Sequence, residues 1–465
     1  MGDNMRRTIR FRSLIVAALV GFGFQGTLQA AGFALIEMNA SGQGNAYAGA
    51  AVGTNDASTV FFNPAGLMNF EGDQLVIVGH YIAPSADFEN DGSSLASALG
   101  PLGGPLSGGD DDGGSDAFVP NLYWAKTISE EMKFGLGFNS PFGLKTEYDD
   151  DWVGRYHAVE SDLKTININP SLAYRVDDKV VIGGGLNVML ADVTLTNAVD
   201  FGSFCVAAAG AAPCLGTGAT PQGLDGFADL EGDNFDDLGV GFNLGVVFQV
   251  NSQFKIGLAY RSEVEINVEG EADFTVPSNA ALDPVLAATG LFADSDIEAT
   301  VDLPETFSIS LSYQVDKYTW LFDFTRTGWS SYDELRIEYD NAAQPDSVTT
   351  NDWDDSNRYS IGLDYQYSDK LILRTGVALD ETPVPSSERR TPRLPGDDRT
   401  WVSFGFSYMY SPTMAFDLGY SHLFVDDADI NNEFESSVPT LNHTLSGEYE
   451  AEVDIISAQL TWKLE

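Results

Sequence analysis

Positively charged residues are scarce in this sequence. Of 465 residues, 24 are Lys or Arg and 69 are Asp or Glu, which gives a net charge of −45 at pH 7. Recognition of nucleic-acid phosphates needs clustered Lys and Arg, so this composition excludes a nucleic-acid partner. The acidic runs suit either a solvated surface or a metal site. None has the D-x-D-x-D-G spacing of a calcium loop, so we favour the surface and predict no cofactor.

A hydrophobic run long enough for a transmembrane helix is also absent after Phe70, because such a helix needs about 20 apolar residues. The apolar run from Leu14 to Phe24 is roughly half that length. It follows four arginines and precedes the short stretch Leu28–Ala30, which resembles the small-residue cleavage site of a signal peptide. This pattern predicts a secretory signal peptide over residues 1–30 rather than a membrane anchor.

Cysteine and histidine are rare. Cys205 and Cys214 lie in one connection between predicted strands of an exported chain, so we expect a disulfide bond between them rather than a catalytic or metal role. The four histidines have no spacing to the cysteines that suits a metal ion, and no histidine on a predicted strand belongs to a recognisable Ser/His motif. The sequence therefore predicts a protein that is not an enzyme.

Residues 31–70 form a Gly/Ala-rich segment without a sustained helical or strand period. Small residues let one backbone approach another closely, which suits a segment that folds tightly inside something else. We interpret this segment as a plug, or hatch, inside a wall that residues 71–465 build.

The rest of the chain alternates large apolar residues with polar or very small ones, as in Phe307–Tyr313. This period of two predicts strands with one apolar face. Most predicted strands are about 9–11 residues long, the length that spans a bilayer when the strand is tilted. The fourteen predicted strands cover residues 74–83, 117–126, 132–140, 164–174, 179–192, 239–250, 253–265, 305–314, 318–327, 357–367, 370–380, 400–410, 413–422 and 453–464.

The connections between these strands alternate strictly between short turns and long segments. A soluble sandwich has no reason for that alternation, whereas an outer-membrane barrel has tight periplasmic turns, long extracellular loops and an even number of strands. The sequence therefore predicts an all-β protein, a 14-stranded antiparallel transmembrane β-barrel with an N-terminal hatch in its lumen. We expect it in the outer membrane of a Gram-negative bacterium.

Several short motifs are specific when taken together. They are Ala31–Phe33, Asn63-Pro64-Ala65 at the end of the predicted hatch, Tyr260–Val264, Arg374–Gly376, Pro383–Pro385 and Pro395–Arg399. In these motifs, and over nearly the whole chain after the signal peptide, the sequence resembles the FadL/TodX-type (OmpP1) family of outer-membrane transporters for long-chain fatty acids and other hydrophobic compounds.

This resemblance implies a transport route. Substrate is caught in an outer hydrophobic groove, moves to a site in the lumen against the hatch, and leaves sideways at a kink in the third strand. Long-chain fatty acids are the predicted substrates of an expected monomer, with outer-membrane lipids around it. Neutral hydrocarbons, either alkanes or aromatics, are an alternative substrate class, and a non-specific porin or an adhesin is a further alternative.

For capture, the fourth long connection contains an apolar segment where an extracellular loop should be polar, and such a patch marks a hydrophobic contact. We predict that the groove lies there, and the alternative is that this segment only packs on neighbouring loops. Its apolar residues are Leu282, Val285, Leu286, Leu291 and Phe292.

For the inner site, the carboxylate of a fatty acid needs fixed cations in an acidic lumen. Strand parity places three arginines inside, and each matches an arginine of the family motifs. Parity also places carboxylates inside, so a structural ion-pair network is an open alternative. The arginines are Arg261, Arg358 and Arg374, and the carboxylates are Asp323, Asp364 and Asp417. We also assign substrate contacts to Arg393 and Arg399 in the sixth long connection and to Phe33, which matches the N-terminal Phe of the family.

For the exit, the third strand should break where ladder hydrogen bonds are lost. The stretch Asn139-Ser140-Pro141-Phe142-Gly143 supplies a proline without an N–H donor and a flexible glycine. We predict a lateral exit at Asn139, Ser140, Pro141 and Gly143, and the alternative is that Pro141 only begins the next loop.

Overall fold

The computed structural model describes residues 32–464, so the predicted signal peptide lies outside the described residues. Within this range there are 21 strands and five short α-helices. The strands are β1 (Asp73–Asn90), β2 (Ala117–Thr127), β3 (Met132–Asn139), β4 (Gly143–Glu147), β5 (Glu160–Arg175), β6 (Val180–Asp200), β7 (Asp225–Asp233), β8 (Gly239–Gln249), β9 (Phe254–Arg261), β10 (Val264–Thr275), β11 (Ser295–Leu303), β12 (Thr306–Val315), β13 (Tyr318–Thr327), β14 (Glu334–Tyr339), β15 (Ser347–Thr350), β16 (Ser356–Ser368), β17 (Leu371–Asp380), β18 (Arg399–Ser411), β19 (Met414–Val425), β20 (Ala428–Glu433) and β21 (Thr444–Leu464). The helices are α1 (Ala40–Gln43), α2 (Thr59–Phe62), α3 (Phe201–Ala209), α4 (Ala211–Gly216) and α5 (Asp283–Thr289). Between residues 32 and 464, no helix has the length and apolarity needed to cross a membrane.

Fourteen strands close into a ring in which each pairs antiparallel with the next. In ring order they are β1, β2, β3, β5, β6, β8, β9, β12, β13, β16, β17, β18, β19 and β21. The ring closes where β21 pairs with β1, from Asp73 opposite Leu464 to Asn90 opposite Gly447. Each ring strand overlaps one predicted strand, so the predicted 14-stranded antiparallel barrel is confirmed.

Seven further strands lie where the sequence predicted long irregular connections, namely β4, β7, β10, β11, β14, β15 and β20. Several pair with continuations of ring strands. β6 runs on to Asp200 beside β7, and β21 begins at Thr444 beside β20. The predicted strand 253–265 is divided at residues 262–263 into β9 and β10. The missed continuations have one cause. Acidic residues replace apolar ones on the outer face of the continuations, so the apolar alternation ends before the strands do.

The two faces of β6 exchange character along the strand. Near its start, Ile182 and Leu186 point outward and are exposed. Farther along, Met189 and Ala191 are the buried inward residues, and Asp192 is exposed on the outer face. An apolar outer face suits lipid, whereas a polar outer face suits water. The apolar residues therefore change face within one strand.

Residues 32–72 are irregular and lie within the ring. Helix α1 packs against β18, β19 and β21, the 3₁₀ turn Ala50–Val52 against β8, β9 and β12, and the 3₁₀ turn Pro64–Asn69 against β3, β5, β6 and β8. Because these strands lie around the whole circumference, the segment spans the lumen. We call residues 32–72 the hatch segment.

Side chains of the wall supply hydrogen bonds to the backbone of the hatch segment. The Tyr123 hydroxyl of β2 donates to the carbonyl oxygen of Met38 at 3.1 Å. Asn243 Nδ2 of β8 donates to the carbonyl oxygen of Val60 at 3.1 Å. A buried backbone group without a partner costs free energy, so these wall side chains are needed to hold an irregular chain inside the barrel.

Asn63 of the Asn-Pro-Ala motif binds in two directions. Its Oδ1 accepts a hydrogen bond from the Ala65 N–H at 3.0 Å and caps the turn Pro64–Asn69. Its Nδ2 donates to the carbonyl oxygens of Ala51 at 2.5 Å and of Leu258 in β9 at 3.1 Å. One amide therefore joins two parts of the hatch segment to the wall.

Two wall glycines lie where the hatch backbone touches the inner face. A Cβ on Gly257 of β9 would lie 2.0 Å from the carbonyl oxygen of Ala51. A Cβ on Gly376 of β17 would lie 2.2 Å from the carbonyl oxygen of Asn45. Because the opposing atoms belong to backbone, any larger residue at either position must displace the hatch segment.

The third ring strand is interrupted between β3 and β4, both of which pair with β5. Asn139 lies opposite Asn167, and Gly143 lies opposite Lys164. Three residues of the interrupted strand therefore face two residues of β5, which is a bulge with one extra residue. This is the position at which the sequence predicted a kink.

The start of the hatch segment hydrogen-bonds to this bulge from inside. The Leu35 N–H donates to the Pro141 carbonyl oxygen at 2.8 Å, and the Gly143 N–H donates to the Phe33 carbonyl oxygen at 2.9 Å. The hatch segment thus supplies partners for backbone groups that the barrel ladder leaves out.

The neighbouring edge of β2 is unpaired at the same height. Its ladder with β3 ends at Leu122 opposite Phe138. In the part of the chain that the structure describes, residues 117–121 pair with β1 alone. Pro120, which lacks an N–H donor, lies in this edge. The wall therefore has a gap between β2 and the bulge.

We expect Gly257→Ala to lower the free energy of unfolding by about 1–3 kcal/mol, the usual cost of overpacking, because the new methyl group meets the hatch backbone. Thermal unfolding of the purified barrel in detergent measures this effect. Gly184→Ala in β6 is the matched control. The nearest atom to its Cβ would be a Leu244 methyl carbon at 3.3 Å, which belongs to a flexible side chain. Equal stability of the two variants would contradict close contact between hatch and wall.

Candidate ligand-binding cavity

A cavity of about 450 Å³ lies on the extracellular side of the hatch segment, enclosed by the continuations of the ring strands and by the loops. Most of its lining is apolar. Representative apolar residues are Leu163, Val193, Leu230, Ile266, Val301 and Ile337. An apolar cavity with few polar groups is the usual form of a small-molecule site.

Phe33 forms part of the cavity floor and is 3% exposed. Its ring lies among four aromatic rings, at centroid distances of 5.9 Å from Phe142, 4.8 Å from Trp329, 5.5 Å from Tyr332 and 6.0 Å from Trp353. Its backbone carbonyl oxygen accepts the hydrogen bond from Gly143 at the bulge. Phe33 therefore contacts both the cavity and the gap in the wall.

Arg393 is the one Lys or Arg that lines this cavity among residues 32–464. Its Nη1 donates to the Glu160 carbonyl oxygen at 2.9 Å and to Ser161 Oγ at 2.8 Å. No described carboxylate lies within ion-pair distance of its guanidinium group. Burial lowers the pKa of Arg393 to about 10, so the group remains charged at neutral pH.

Two buried histidines that sequence reasoning left without a role also line the cavity, His157 and His443. They are 6% and 1% exposed. His157 lies two residues after Arg155 in the connection between β4 and β5, and His443 immediately precedes β21. No local motif marks either residue, so only the fold brings them to one cavity.

A second cavity, of about 120 Å³, lies between the hatch segment and the wall. Arg261, Arg358 and Arg399, three of the predicted substrate contacts, line it. Arg261 Nη2 donates to the Phe61 carbonyl oxygen at 2.6 Å, and Arg358 Nη2 donates to the Ala46 carbonyl oxygen at 3.0 Å. Two of these arginines therefore hold the hatch segment directly.

The third of these arginines, Arg399, pairs with the wall. Its Nη2 lies 2.5 Å from Asp380 Oδ2, and Arg358 Nε lies 3.8 Å from the same oxygen. Both guanidinium groups also lie over the ring of Trp401, at 5.7 Å and 5.1 Å from its centroid. This arrangement fits the alternative that the sequence left open, an ion-pair network inside the barrel.

Arg374 also belongs to an ion-pair network. Its Nε lies 3.4 Å from Asp364 Oδ2, its Nη1 lies 3.2 Å from Asp417 Oδ1, and it donates to Ser407 Oγ. It lines neither the large cavity nor the second cavity. The inward orientation that strand parity predicted is present, but its partners are carboxylates of the wall.

The predicted capture segment is divided between two roles. Leu282 is fully buried, and Val285 and Leu286 pack against the apolar cluster around it. Leu291 and Phe292 line the large cavity. The Phe292 ring contacts Phe201, Phe204 and Phe274 at centroid distances of 5.0, 5.0 and 5.5 Å. The first three residues thus follow the alternative of loop packing, and the last two reach the cavity.

Cys205 of α3 and Cys214 of α4 are joined by a disulfide bond, and both are buried. The bond joins the two short helices of one extracellular connection. Both cysteines belong to the buried apolar cluster that also contains Leu282. The disulfide therefore supports the loops that cover the cavity.

Comparison with known proteins identifies the family. The family model described as "Outer membrane protein transport protein (OMPP1/FadL/TodX)" matches residues 24–464. The chain belongs to this family. The Long-chain fatty acid transport protein of Escherichia coli strain K12 is 29% identical over 423 residues, covering 87% of this chain and 91% of the relative.

Solved structures share the fold. A FadL homologue of Pseudomonas aeruginosa has a TM-score of 0.82 at 22% identity, covering 94% of this chain and 100% of that one. The toluene transporter TbuX of Ralstonia pickettii has a TM-score of 0.62 at 17% identity, covering 93% and 100%.

Membership of the OMPP1/FadL/TodX family makes the chain an outer-membrane protein that transports hydrophobic small molecules. The family consists of transporters and channels, so the protein is not an enzyme. The resemblance, the location and the transport class that the sequence predicted are confirmed.

We expect Arg374→Ala to lower the free energy of unfolding by about 3–5 kcal/mol, because removing one partner leaves the buried Asp417 carboxylate unpaired. Arg336→Ala is the control, since its pairs with Glu334 and Asp346 are exposed and are worth about 1 kcal/mol or less. Unfolding by guanidinium chloride in detergent measures both. Similar losses in the two variants would contradict a structural role for Arg374.

Proposed function

We propose that this protein carries long-chain fatty acids through the outer membrane and that the large cavity binds them with the carboxyl group at Arg393. The observation that carries this proposal is a guanidinium group that has no carboxylate partner among residues 32–464 and that lines a mostly apolar cavity. An apolar chain with one acidic end is complementary to that arrangement. The fatty-acid substrate of the Escherichia coli relative supports the same class.

The gap between β2 and the bulge supports a sideways exit into the outer leaflet. Phe33 connects the cavity floor with this gap, since its ring lines the cavity and its backbone pairs with Gly143. In our proposal, displacement of the start of the hatch segment opens the route past Pro141. Leu291 and Phe292 at the cavity wall guide the chain in from outside.

Neutral hydrocarbons are the second candidate substrate class, because most of the cavity lining is apolar and the toluene transporter shares the fold. The two candidates differ in what Arg393 does. A neutral hydrocarbon has no acceptor for a guanidinium N–H group, whereas a carboxylate gains a charge-assisted hydrogen bond.

We expect Arg393→Gln to weaken binding of dodecanoate about 10–100-fold, because a hydrogen bond to a charged group is worth about 1.5–3 kcal/mol. Titration calorimetry on the barrel in lipid nanodiscs measures this change. Binding of methyl dodecanoate, which has no ionisable group, should change little.

The matched control is Arg389→Gln in the same connection, whose side chain pairs with Asp352 and Glu435 and is absent from the described lining of the large cavity. Uptake of labelled fatty acid by cells without their own transporter should fall with Arg393→Gln and persist with Arg389→Gln. Equal binding of acid and ester by the wild type, with no effect of Arg393→Gln, would instead favour neutral hydrocarbons.

We expect a variant that combines deletion of Ser140 with Pro141→Val to reduce fatty-acid uptake while leaving dodecanoate affinity near its wild-type value. The deletion removes the extra residue of the bulge, and valine restores an N–H donor, so β3 and β4 gain a continuous register with β5. Pro141→Val alone, which keeps the extra residue, is the control. Undiminished uptake by the double variant at equal surface expression would contradict exit through this gap.

A further inference from the structure

The exposed part of its lining shows where the large cavity opens. Most residues that line the cavity are buried or half-buried, and seven are exposed. Six of these seven lie in two segments, the connection between β14 and β15 and the end of β20 with the connection that follows it. We call the opening between these segments, residues 343–347 and 433–438, the cavity mouth. The exposed lining residues are Glu231, Ala343, Pro345, Asp346, Glu433, Glu435 and Ser437.

Hydrogen bonds join the two sides of the mouth to each other and to the predicted capture segment. Thr350 Oγ1 of β15 donates to Glu435 Oε2 at 2.8 Å, so β15 and the connection after β20 are in contact. The Phe292 N–H donates to Gln344 Oε1 at 3.0 Å. The end of the capture segment therefore lies at the mouth.

Two arginines lie beside the mouth, and each is shared between two carboxylates. Arg336 has carboxylate oxygens at 2.8 Å and 3.0 Å, and Arg389 has them at 2.8 Å and 3.4 Å. Neither arginine lines the cavity. The carboxylates belong to Glu334 and Asp346 for Arg336, and to Asp352 and Glu435 for Arg389.

The mouth therefore carries an excess of negative charge. Glu231 and Glu433, the other two exposed acidic residues of the lining, have no Lys or Arg among residues 32–464 within ion-pair distance. With the pairs around Arg336 and Arg389, the mouth has six carboxylates and two guanidinium groups, a net charge of −4. The remaining charged lining residues, Arg393 and the buried Asp200, have opposite charges.

A carboxylate that enters the cavity meets repulsion at the mouth before it reaches Arg393. A cleft of one charge sign changes the entry rate of a charged ligand by about 10–1,000-fold. The range of such a field is about 30 Å at 0.01 M salt and about 3 Å at 1 M salt. Arg393 therefore acts on the bound ligand, whereas the mouth acts on the rate of entry.

The inference that follows rests on the proposed function. We propose that the acidic mouth is an electrostatic filter for entry, which slows anionic amphiphiles in a dilute medium and admits them once dissolved salt screens its carboxylates. Asp346, Glu433 and Glu435 are the specificity-determining residues of this step. Fatty acids then enter fastest in a saline medium, whereas neutral hydrocarbons enter equally well without salt.

The test is the dependence of the association rate on salt. The full barrel in phosphatidylcholine nanodiscs, which have no net lipid charge, is immobilised for surface plasmon resonance, and the signal of empty nanodiscs is subtracted. We expect the association rate constant of dodecanoate at neutral pH to rise about tenfold from about 20 mM to about 500 mM NaCl. Methyl dodecanoate should show almost no change, and dodecylammonium should associate more slowly as the salt concentration rises.

The triple variant Asp346→Asn/Glu433→Gln/Glu435→Gln removes three carboxylates from the mouth. We expect it to bind dodecanoate several-fold faster than the wild type at low salt and to lose most of the salt dependence. All three residues are exposed, so the fold should tolerate the changes. Wild-type binding of methyl dodecanoate shows that the cavity of the variant is intact.

The matched control is Glu130→Gln/Asp178→Asn/Asp369→Asn, which changes the net charge by the same amount. These residues are exposed in short turns at the opposite end of the barrel. A hydrocarbon core about 30 Å thick separates them from the mouth. We therefore expect this variant to keep the salt dependence of the wild type.

A dodecanoate association rate that falls or stays constant as salt rises would overturn the filter and leave the fatty-acid function in place. Unchanged salt dependence in the triple mouth variant would overturn the assignment to Asp346, Glu433 and Glu435. Binding of methyl dodecanoate without binding of dodecanoate at any salt concentration would instead overturn the fatty-acid function itself.

Discussion

An irregular chain inside a closed barrel has to find hydrogen bonds for its backbone, and this requirement organises the molecule. The hatch segment has no sheet or long helix of its own, so the wall supplies partners from side chains such as Tyr123, Asn243 and Arg261. Glycines on the inner face admit the hatch backbone where it comes closest. The interior of the barrel is therefore polar because it is a scaffold for the hatch segment.

The same requirement explains how the few arginines are used. The arginines at the level of the hatch segment bind its carbonyl oxygens or pair with carboxylates of the wall. Their role is therefore structural. Arg393 lies higher, among the loops, where its guanidinium group has backbone and hydroxyl partners but no carboxylate among the described residues. In a chain with a net charge of −45, such a cation in a buried cavity is the group to which our proposal assigns the carboxyl end of the ligand. The two histidines beside it have no part in holding the hatch segment.

The sequence predicts the barrel well because membrane-facing alternation is a strong and simple signal. Each ring strand overlaps a predicted one, and the bulge lies at the predicted Asn139–Gly143 stretch. The strands beyond the membrane are missed because their outer residues are acidic, as in the alternating Val264–Glu269 of β10.

The site residues are harder to predict than the strands. The placement of Arg374 on the inner face is correct, but strand alternation predicts only which face a side chain occupies and not which groups it contacts. Its carboxylate partners come from β16 and β19, and no local pattern shows them. His157 and His443 are far apart in sequence, so only the fold brings them to one cavity.

The change of face along β6 fixes the vertical position of the protein in its membrane. Below the change, apolar side chains contact lipid. Above it, the outer face carries Asp192, while Met189 and Ala191 contribute to the apolar interior.

A single-residue insertion near this point would turn every following side chain of the strand to the opposite face. Acidic groups would then enter the cavity, and apolar ones would meet water. A two-residue insertion keeps the faces and only raises the upper part by about 7 Å, at roughly 3.3 Å per residue. Natural length variation in such strands is therefore expected in steps of two, which lets the height of the extracellular part evolve without rebuilding its interior.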